Sequence, residues 1–270
     1  MPGLETDHGL VGEIRSAYEG SAEGWATGPA AVYRQLADAL IAAAPTSLAG
    51  RSALDLGAGT GVASEALADA GARPVGFDLA LAMLRHRQAQ RPPAVAGDAR
   101  ALPFRDEAFD AVAAAFSLNH VPDPMRALAE CRRVMRPGGV VLASTFPSDA
   151  EHPAKAGVES VLEQFGYQRP AWYQAFKDRV AALTGDPAAF AEAATAAGLA
   201  DVRVDSIEVE AGLQRPEVAV EWRLNMPHTM GFVAGLGPAR RVALRASAIE
   251  ALSGALPSSV PMLALRARST

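Results

Sequence analysis

The chain has a single cysteine, Cys131, among its 270 residues. One thiol excludes a disulfide framework, and with no Cys/His cluster there is no zinc constellation, so no metal is expected. Long apolar runs are also missing: none approaches the roughly 18 residues of a membrane span, and no membrane partner is expected. Basic residues are in deficit, 25 Lys+Arg against 30 Asp+Glu, for a net charge of −5. A nucleic-acid partner is excluded on that balance, because phosphate backbones are held by basic surfaces. The opening MPGLETDHG carries acidic residues where a secretory leader carries basic ones. A cytoplasmic protein, monomer or homodimer, is the expectation. What the chain does have is apolar material, half of its residues, enough for the core of one large domain or of two small ones. No internal repeat is evident.

The stretch that organises the rest is SALDLGAGTG, Ser52 to Gly61. A short apolar run meets Asp55 and then breaks into Gly57, Gly59 and Gly61, after which VASEALADAG has helical spacing and ends on Gly71. Strand, glycine turn and helix N-terminus together form the place where an α/β sheet binds nucleotides. The spacing narrows the ligand. A dinucleotide fingerprint G-x-G-x-x-G needs glycine at position 62, where Val62 stands, and no lysine follows Gly61 to complete a phosphate loop. A carboxylate at Asp55 repels a pyrophosphate but suits a ligand with an ammonium and a sulfonium, and S-adenosylmethionine carries both.

LDLGAGTG resembles motif I of the class I (Rossmann-like) S-adenosylmethionine-dependent methyltransferases. The resemblance implies that Asp55, Gly57, Ala58, Gly59 and Gly61 surround the cofactor. A second strand, Pro74 to Phe77, ends on Asp78, about 20 residues past the first glycine, where an acid accepts from the ribose hydroxyls. The other reading of Asp78 is the N-cap of a helix starting at Leu79, and both roles can hold. Met83, one turn on, resembles the family residue packed under the nucleoside, as Leu79 does the residue beside it; plain core is the alternative for a methionine. A third strand, Pro93 to Ala96, runs into GDARALPFRDEAFD. That segment resembles the family's adenine-binding turn, which implies Gly97, Asp98 and Ala99 at the ring; an ordinary Asx turn is the alternative. A fourth apolar strand, Phe109 to Phe116, leads into SLNHVPDP, placing Phe116 and Ser117 at the cofactor by the same resemblance. The helix after Pro124 is stopped by RPGG, and VVLAST is the fifth strand. Cys131 is a core thiol on that helix. The resemblance covers about Arg51 to Thr145.

Outside that segment, helices are expected over Leu4 to Tyr18 and Ala30 to Ala44, separated by the break SAEGWATGP. Residues 1–45 thereby resemble the N-terminal segment that folds over the cofactor in small-molecule methyltransferases, which brings Tyr18 to the ligand; core aromatics are the alternative for Tyr18 and Trp25. After the fifth strand, residues 150–183 hold two helices, Ala154 to Phe165 and Trp172 to Leu183, which in this family form a substrate cap. Asp186 and Pro187 open a further helix. ADVRVDSIEVE alternates as an antiparallel edge strand, Pro216 to Met226 and Pro238 to Leu252 are helical, and SVPMLALRAR is the last strand. Arg240, Arg241 and Arg245 read as a solvated face.

The fold expected is α/β, a single doubly wound domain with a seven-stranded sheet in the order 3-2-1-4-5-7-6 by resemblance, and a ligand at the carboxyl ends of strands one and four. The implied activity is methyl transfer from S-adenosylmethionine to a small, apolar or aromatic metabolite of the secondary-metabolism type. Trp25, Trp172, Trp222 and Met226 are the candidate substrate contacts, in segments with few charges. A non-methylating S-adenosylmethionine-binding protein or cyclase on the same fold is the alternative, and an NAD(P)-dependent oxidoreductase a more distant one. If the acceptor must lose a proton, histidine is the side chain suited to take it. His8 stands in the N-terminal tail, His86 beside two arginines and His152 in a loop, which leaves His120 and then His228 as catalytic candidates.

Overall fold

The computed structural model describes the backbone of residues 3–270 and the side chains of 9–178 and 180–270. Three helices come first, α1 (Gly3–Glu19), α2 (Ala22–Thr27) and α3 (Pro29–Ala42). Residue 8 therefore lies inside α1 and not in a tail, and the expected break holds α2. At six residues α2 is too short to leave a periodic stripe in the sequence. The sheet then begins with β1 (Ser52–Leu56), α4 (Val62–Asp69), β2 (Arg73–Asp78), α5 (Leu81–Arg85), β3 (Ala94–Ala96) and β4 (Phe109–Ala115). It continues through α6 (Pro124–Val134), β5 (Met135–Thr145), α7 (Pro153–Gln164), α8 (Ala171–Thr184), α9 (Pro187–Ala196) and β6 (Leu199–Glu210). Three helices, α10 (Pro216–Leu224), α11 (Pro227–Gly235) and α12 (Pro238–Ala251), separate β6 from β7 (Ser259–Ser269).

The seven strands lie in the order β3-β2-β1-β4-β5-β7-β6, as the resemblance implied. The first five run parallel, and β7 enters antiparallel between β5 and β6. Alternate side chains of the central strands go to opposite layers. Ala111 and Ala113 of β4 join Leu36 and Leu40 of α3, while Val112 and Ala114 join Leu128 and Cys131 of α6 and Phe190 of α9. Both faces are covered, so the strands read as unbroken apolar runs. Cys131 is a core thiol whose burial pushes its pKa up to about 12.

Four expectations are corrected by the packing. RPGG does not precede the fifth strand but belongs to it, because Met135 already pairs with Phe109 and the ladder shifts register before Ala111. The turn is tight enough that a Cβ on Gly139 would meet the Arg136 carbonyl oxygen at 2.8 Å. The helix after β2 begins at Leu81, two residues later than expected. Its free N–H groups at Leu81 and Ala82 donate to the Glu19 carboxylate of α1 at 2.7 and 2.9 Å, which ties the N-terminal helix to the sheet. Between the two helices expected over Pro216 to Met226 and Pro238 to Leu252 stands a third, α11, whose Thr229 Oγ1 donates to the Arg223 and Leu224 carbonyls and joins it to the end of α10. The arginines of α12 are only partly a solvated face: Arg245 pairs with Glu221 and Arg240 donates to the Phe165 carbonyl.

Candidate functional site

The site is built on the turn after β1. Gly57, Gly59 and Gly61 all have positive φ, 78°, 51° and 105°. At Gly57 the loop after β4 comes so close that an added Cβ would stand 2.2 Å from the Ser117 Cβ, and at Gly59 an L side chain would be strained by the backbone itself. Asp78, at the end of β2, holds this turn in place. Its Oδ2 accepts from the Gly59 N–H and its Oδ1 from the Ala80 N–H, both at 2.8 Å. It is therefore not the N-cap of a helix at Leu79, but a strut between turn and strand. Each carboxylate oxygen keeps a lone pair for a ligand hydroxyl. Burial raises its pKa, and the two backbone N–H groups act against that rise.

A buried carboxyl and a half-buried guanidinium lie behind the turn. Asp55 does not line the cavity in front of it; its Oδ2 accepts from Ser64 Oγ at 2.5 Å and its Oδ1 has no partner among the described residues. Burial pushes this carboxyl up to about 6. Arg91 is a residue that sequence reasoning missed. Its Nη1 donates to the Gly59 carbonyl at 2.9 Å and to that of Met83 at 2.8 Å, clamping the turn to α5. A Cβ on Gly61 would collide with its Nε at 2.8 Å. Burial lowers the pKa of Arg91, while Asp55 and Asp78 work to keep it charged. Nothing in RPPAV distinguishes this arginine from Arg85 or Arg87, so its role becomes visible only through the fold.

In front of the turn, at the carboxyl ends of β1, β2 and β4, is a cavity with about 880 Å³ of space free of protein atoms, part of it open to solvent. Tyr18, Trp25, Gly57, Gly59, Asp78, Leu79, Met83, Gly97, Asp98, Ala99, Phe116 and Ser117 line it, so most of the expected cofactor residues do meet there. Ala58 and Gly61 do not; Ala58 faces Gly76 and Gly61 faces Arg91. Burial acts to raise Asp98, but the Arg100 guanidinium hydrogen-bonded to it at 2.7 Å holds its carboxyl below the usual range. Phe116 has φ 54°, a strained conformation for a bulky residue, and its ring stands against Tyr33 and Phe146. Ser117 Oγ is buried and has no partner among the described residues. A glycine turn, two carboxylates and an unpartnered hydroxyl on one apolar cavity fit the nucleoside and charged ends of S-adenosylmethionine.

A second cavity, with about 1410 Å³ of free space, adjoins the first and shares two wall residues with it, Tyr33 and His120. His120 therefore stands where the two meet. Its Nδ1 lies 3.3 Å from the Tyr18 hydroxyl, its ring stacks on Phe176 of α8 at 4.6 Å, and burial lowers its pKa to about 4. His228 is not at this junction. It is buried in α11, stacked on Tyr173 at 3.9 Å and lining neither cavity, with its pKa pushed well down by burial and then by Arg223. His152, read as a loop residue, is buried, caps α7 through the Ala154 N–H and lines the second cavity. Of the four substrate candidates only Met226 lines the second cavity. Trp25 faces the first, Trp172 packs on Tyr173 outside both, and Trp222 is fully buried core between Phe146 and His152.

The few charges expected of this region are also corrected. Lys155, Arg169, Lys177 and Arg223 all face the second cavity, from separate elements whose sequence spacing hides their convergence. Lys155 Nζ sits 4.0 Å over the Phe146 ring, and burial, then Arg223 and Lys177, lower its pKa to about 7.

Residues 54–143 match the family model described as a methyltransferase domain. A demethylmenaquinone methyltransferase of Renibacterium salmoninarum is 41% identical over 128 residues, an alignment that covers 47% of this chain and 52% of that protein. The chain thus spans about half the length of the curated relatives it matches. Among solved structures, a Thermotoga maritima S-adenosylmethionine-dependent methyltransferase, described as a possible histamine N-methyltransferase, superposes with TM-score 0.58 and 15% identity over 95% of this chain and all of that one. The [4+2]-cyclase SpnF superposes with TM-score 0.56 and 22% identity over 88% of this chain and 81% of its own. At those identities the likeness carries the fold.

Proposed function

We propose, from the premise that residues 54–143 are a methyltransferase domain of the class I, Rossmann-like kind, that this chain transfers a methyl group from S-adenosylmethionine to a small molecule with an apolar or aromatic body. The observation that carries the proposal is the pair of adjoining cavities, one shaped for a nucleoside and the other walled by aromatic rings, with Tyr33 and His120 common to both. When bound, S-adenosylmethionine supplies an electrophilic methyl group on its sulfonium.

The remaining work falls to the chain. Asp78 and Asp98 hold the nucleoside, and Ser117 satisfies its buried hydroxyl against the same ligand. Tyr18, brought in by α1, closes the first cavity from above. Tyr33, Phe116 and Phe146 exclude water from the junction, and in-line displacement needs little beyond such positioning and desolvation. In the tautomer that carries its proton on Nδ1, 3.3 Å from the Tyr18 oxygen, His120 leaves Nε2 free to take a proton from an acceptor hydroxyl or acidic carbon. At a pKa near 4 the imidazole is neutral through physiological pH and available as an acceptor. The helices α7 and α8 serve as the cap over the acceptor.

Demethylmenaquinone, the compound in the name of the Renibacterium relative, is one acceptor to include in the assay. The test is mass spectrometry of apolar and aromatic acceptors incubated with the protein and S-adenosylmethionine. A mass gain of one CH2 on an acceptor is expected. An acceptor that is cyclised or unchanged while S-adenosylmethionine stays intact would place the chain with the non-methylating proteins of this fold.

A further inference from the structure

We infer that the acceptor taken by the second cavity carries an anionic group, which Lys155 and Arg223 bind while the aromatic wall holds the body of the molecule. The inference rests on the second cavity being the acceptor site. Four cationic side chains line it, Lys155 from α7, Arg169 from the loop before α8, Lys177 from α8 and Arg223 from α10, against two carboxylates, Glu151 and Glu159. One of each cancels, because Arg169 is paired with Glu159. Lys155, Lys177 and Arg223 have no carboxylate partner among the described residues, and Glu151 is exposed.

Lys177 is exposed as Glu151 is, but Lys155 and Arg223 are half-buried and are not an ordinary solvated face. Lys155 is seated on the Phe146 ring with Trp222 behind it at 5.8 Å, its ammonium drawn away from bulk water. Arg223 and Lys177 face it with like charge, from two other helices. An unpaired cation in such a place is unfavourable, and like charges beside it make it more so. A bound anion removes both penalties at once. The lowered pKa of Lys155, near 7, agrees with a site that lacks its counter-charge.

The rest of the wall defines the body of the ligand. Tyr33, Phe146, Tyr173 and Phe176 are the large aromatic faces of this cavity, so an aromatic or apolar acid fits better than a hydrophilic one. Asn119, next to His120 in the chain, also lines the cavity, and its Oδ1 is buried without a partner among the described residues. It offers an acceptor for a hydroxyl on the same molecule.

The experiment is a calorimetric titration with benzoate, phenyl phosphate and benzamide, on the protein alone and loaded with S-adenosylhomocysteine. Benzoate or phenyl phosphate should bind about tenfold or more tighter than the isosteric neutral benzamide, as a charge-assisted contact requires. Which anion is preferred tells a carboxylate from a phosphate acceptor. Lys155→Met, which keeps the stem over Phe146, and Arg223→Gln should each bring the anion-to-amide ratio towards one, with S-adenosylhomocysteine affinity within about twofold of wild type as the check on folding. Equal binding of benzamide, no binding of either anion, or a preference unchanged in both variants overturns the inference. Failure of S-adenosylhomocysteine to bind the wild type is a separate result: it defeats the methyltransferase reading, while the anion preference of the unloaded protein still decides this one.

Discussion

Asp78 and His120 concentrate what can be tested one side chain at a time. The Asp78 carboxylate accepts two backbone N–H groups and faces the first cavity. Asp78→Ala therefore removes a ligand contact and loosens the turn that presents it, and should weaken S-adenosylmethionine binding by about 1–3 kcal/mol, read by calorimetry; unchanged affinity would remove Asp78 from the site. His120→Ala should lower turnover by about 10²–10⁴-fold with cofactor affinity little changed. The sign of its pH dependence follows from the lowered pKa. A free imidazole loses its basic form below about 6.5, whereas one titrating at about 4 keeps it down to that pH, so the acid limb of wild-type turnover should lie near 4 and be absent from the residual activity of the variant. An acid limb at 6.5 in both proteins would assign the proton transfer elsewhere. Sequence position alone picked out Asp78 and His120, because motif spacing fixes the first and the end of β4 the second. It could not reveal Arg91 or Lys155, since a long cation's role is set by what its head group reaches across the fold.

Among elements, the glycine turn and α4 were legible because three signals coincide there: an apolar run, closely spaced glycines and helical periodicity. Gly59→Val puts a branched side chain at φ 51° in front of the cavity, with Met83 Cε 3.4 Å from its Cβ. Cofactor binding should disappear while far-ultraviolet circular dichroism keeps its wild-type helix signal; normal binding by this variant would make the turn purely structural. The elements that escaped sequence reading are those whose signal is tertiary. α11 opens on Pro227 and contains Gly231 and Gly235, poor helix formers, yet it is buried through His228, Thr229 and Val233. β5 absorbs RPGG because pairing with Phe109 outweighs the local preference of Pro and Gly for a turn. Trp172 and Trp222 were read as substrate contacts from residue type, but an aromatic on a helix faces whichever layer packs against it, and here those are Tyr173 and the core.

At the scale of the molecule, the chain order of motifs carries most of the fold. Parallel strands joined by helices reverse direction of winding between β1 and β4, and the crevice at their carboxyl ends is where such a sheet binds its ligand. The helices inserted after β5 and β6 then wall a second cavity against the first, with His120 between them. The sequence shows the insertions but not their packing, which is why the wall of the first cavity was readable and that of the second was not. Among the described residues no helix is long and apolar enough to cross a membrane. The methyltransferase reading depends on what the first cavity binds, and a calorimetric titration of the wild-type protein with S-adenosylmethionine and, separately, with NADH addresses it directly. Saturable heat with S-adenosylmethionine and none with NADH is the expected result; binding of NADH, or no binding of S-adenosylmethionine, would show that the glycine turn and Asp78 serve another ligand.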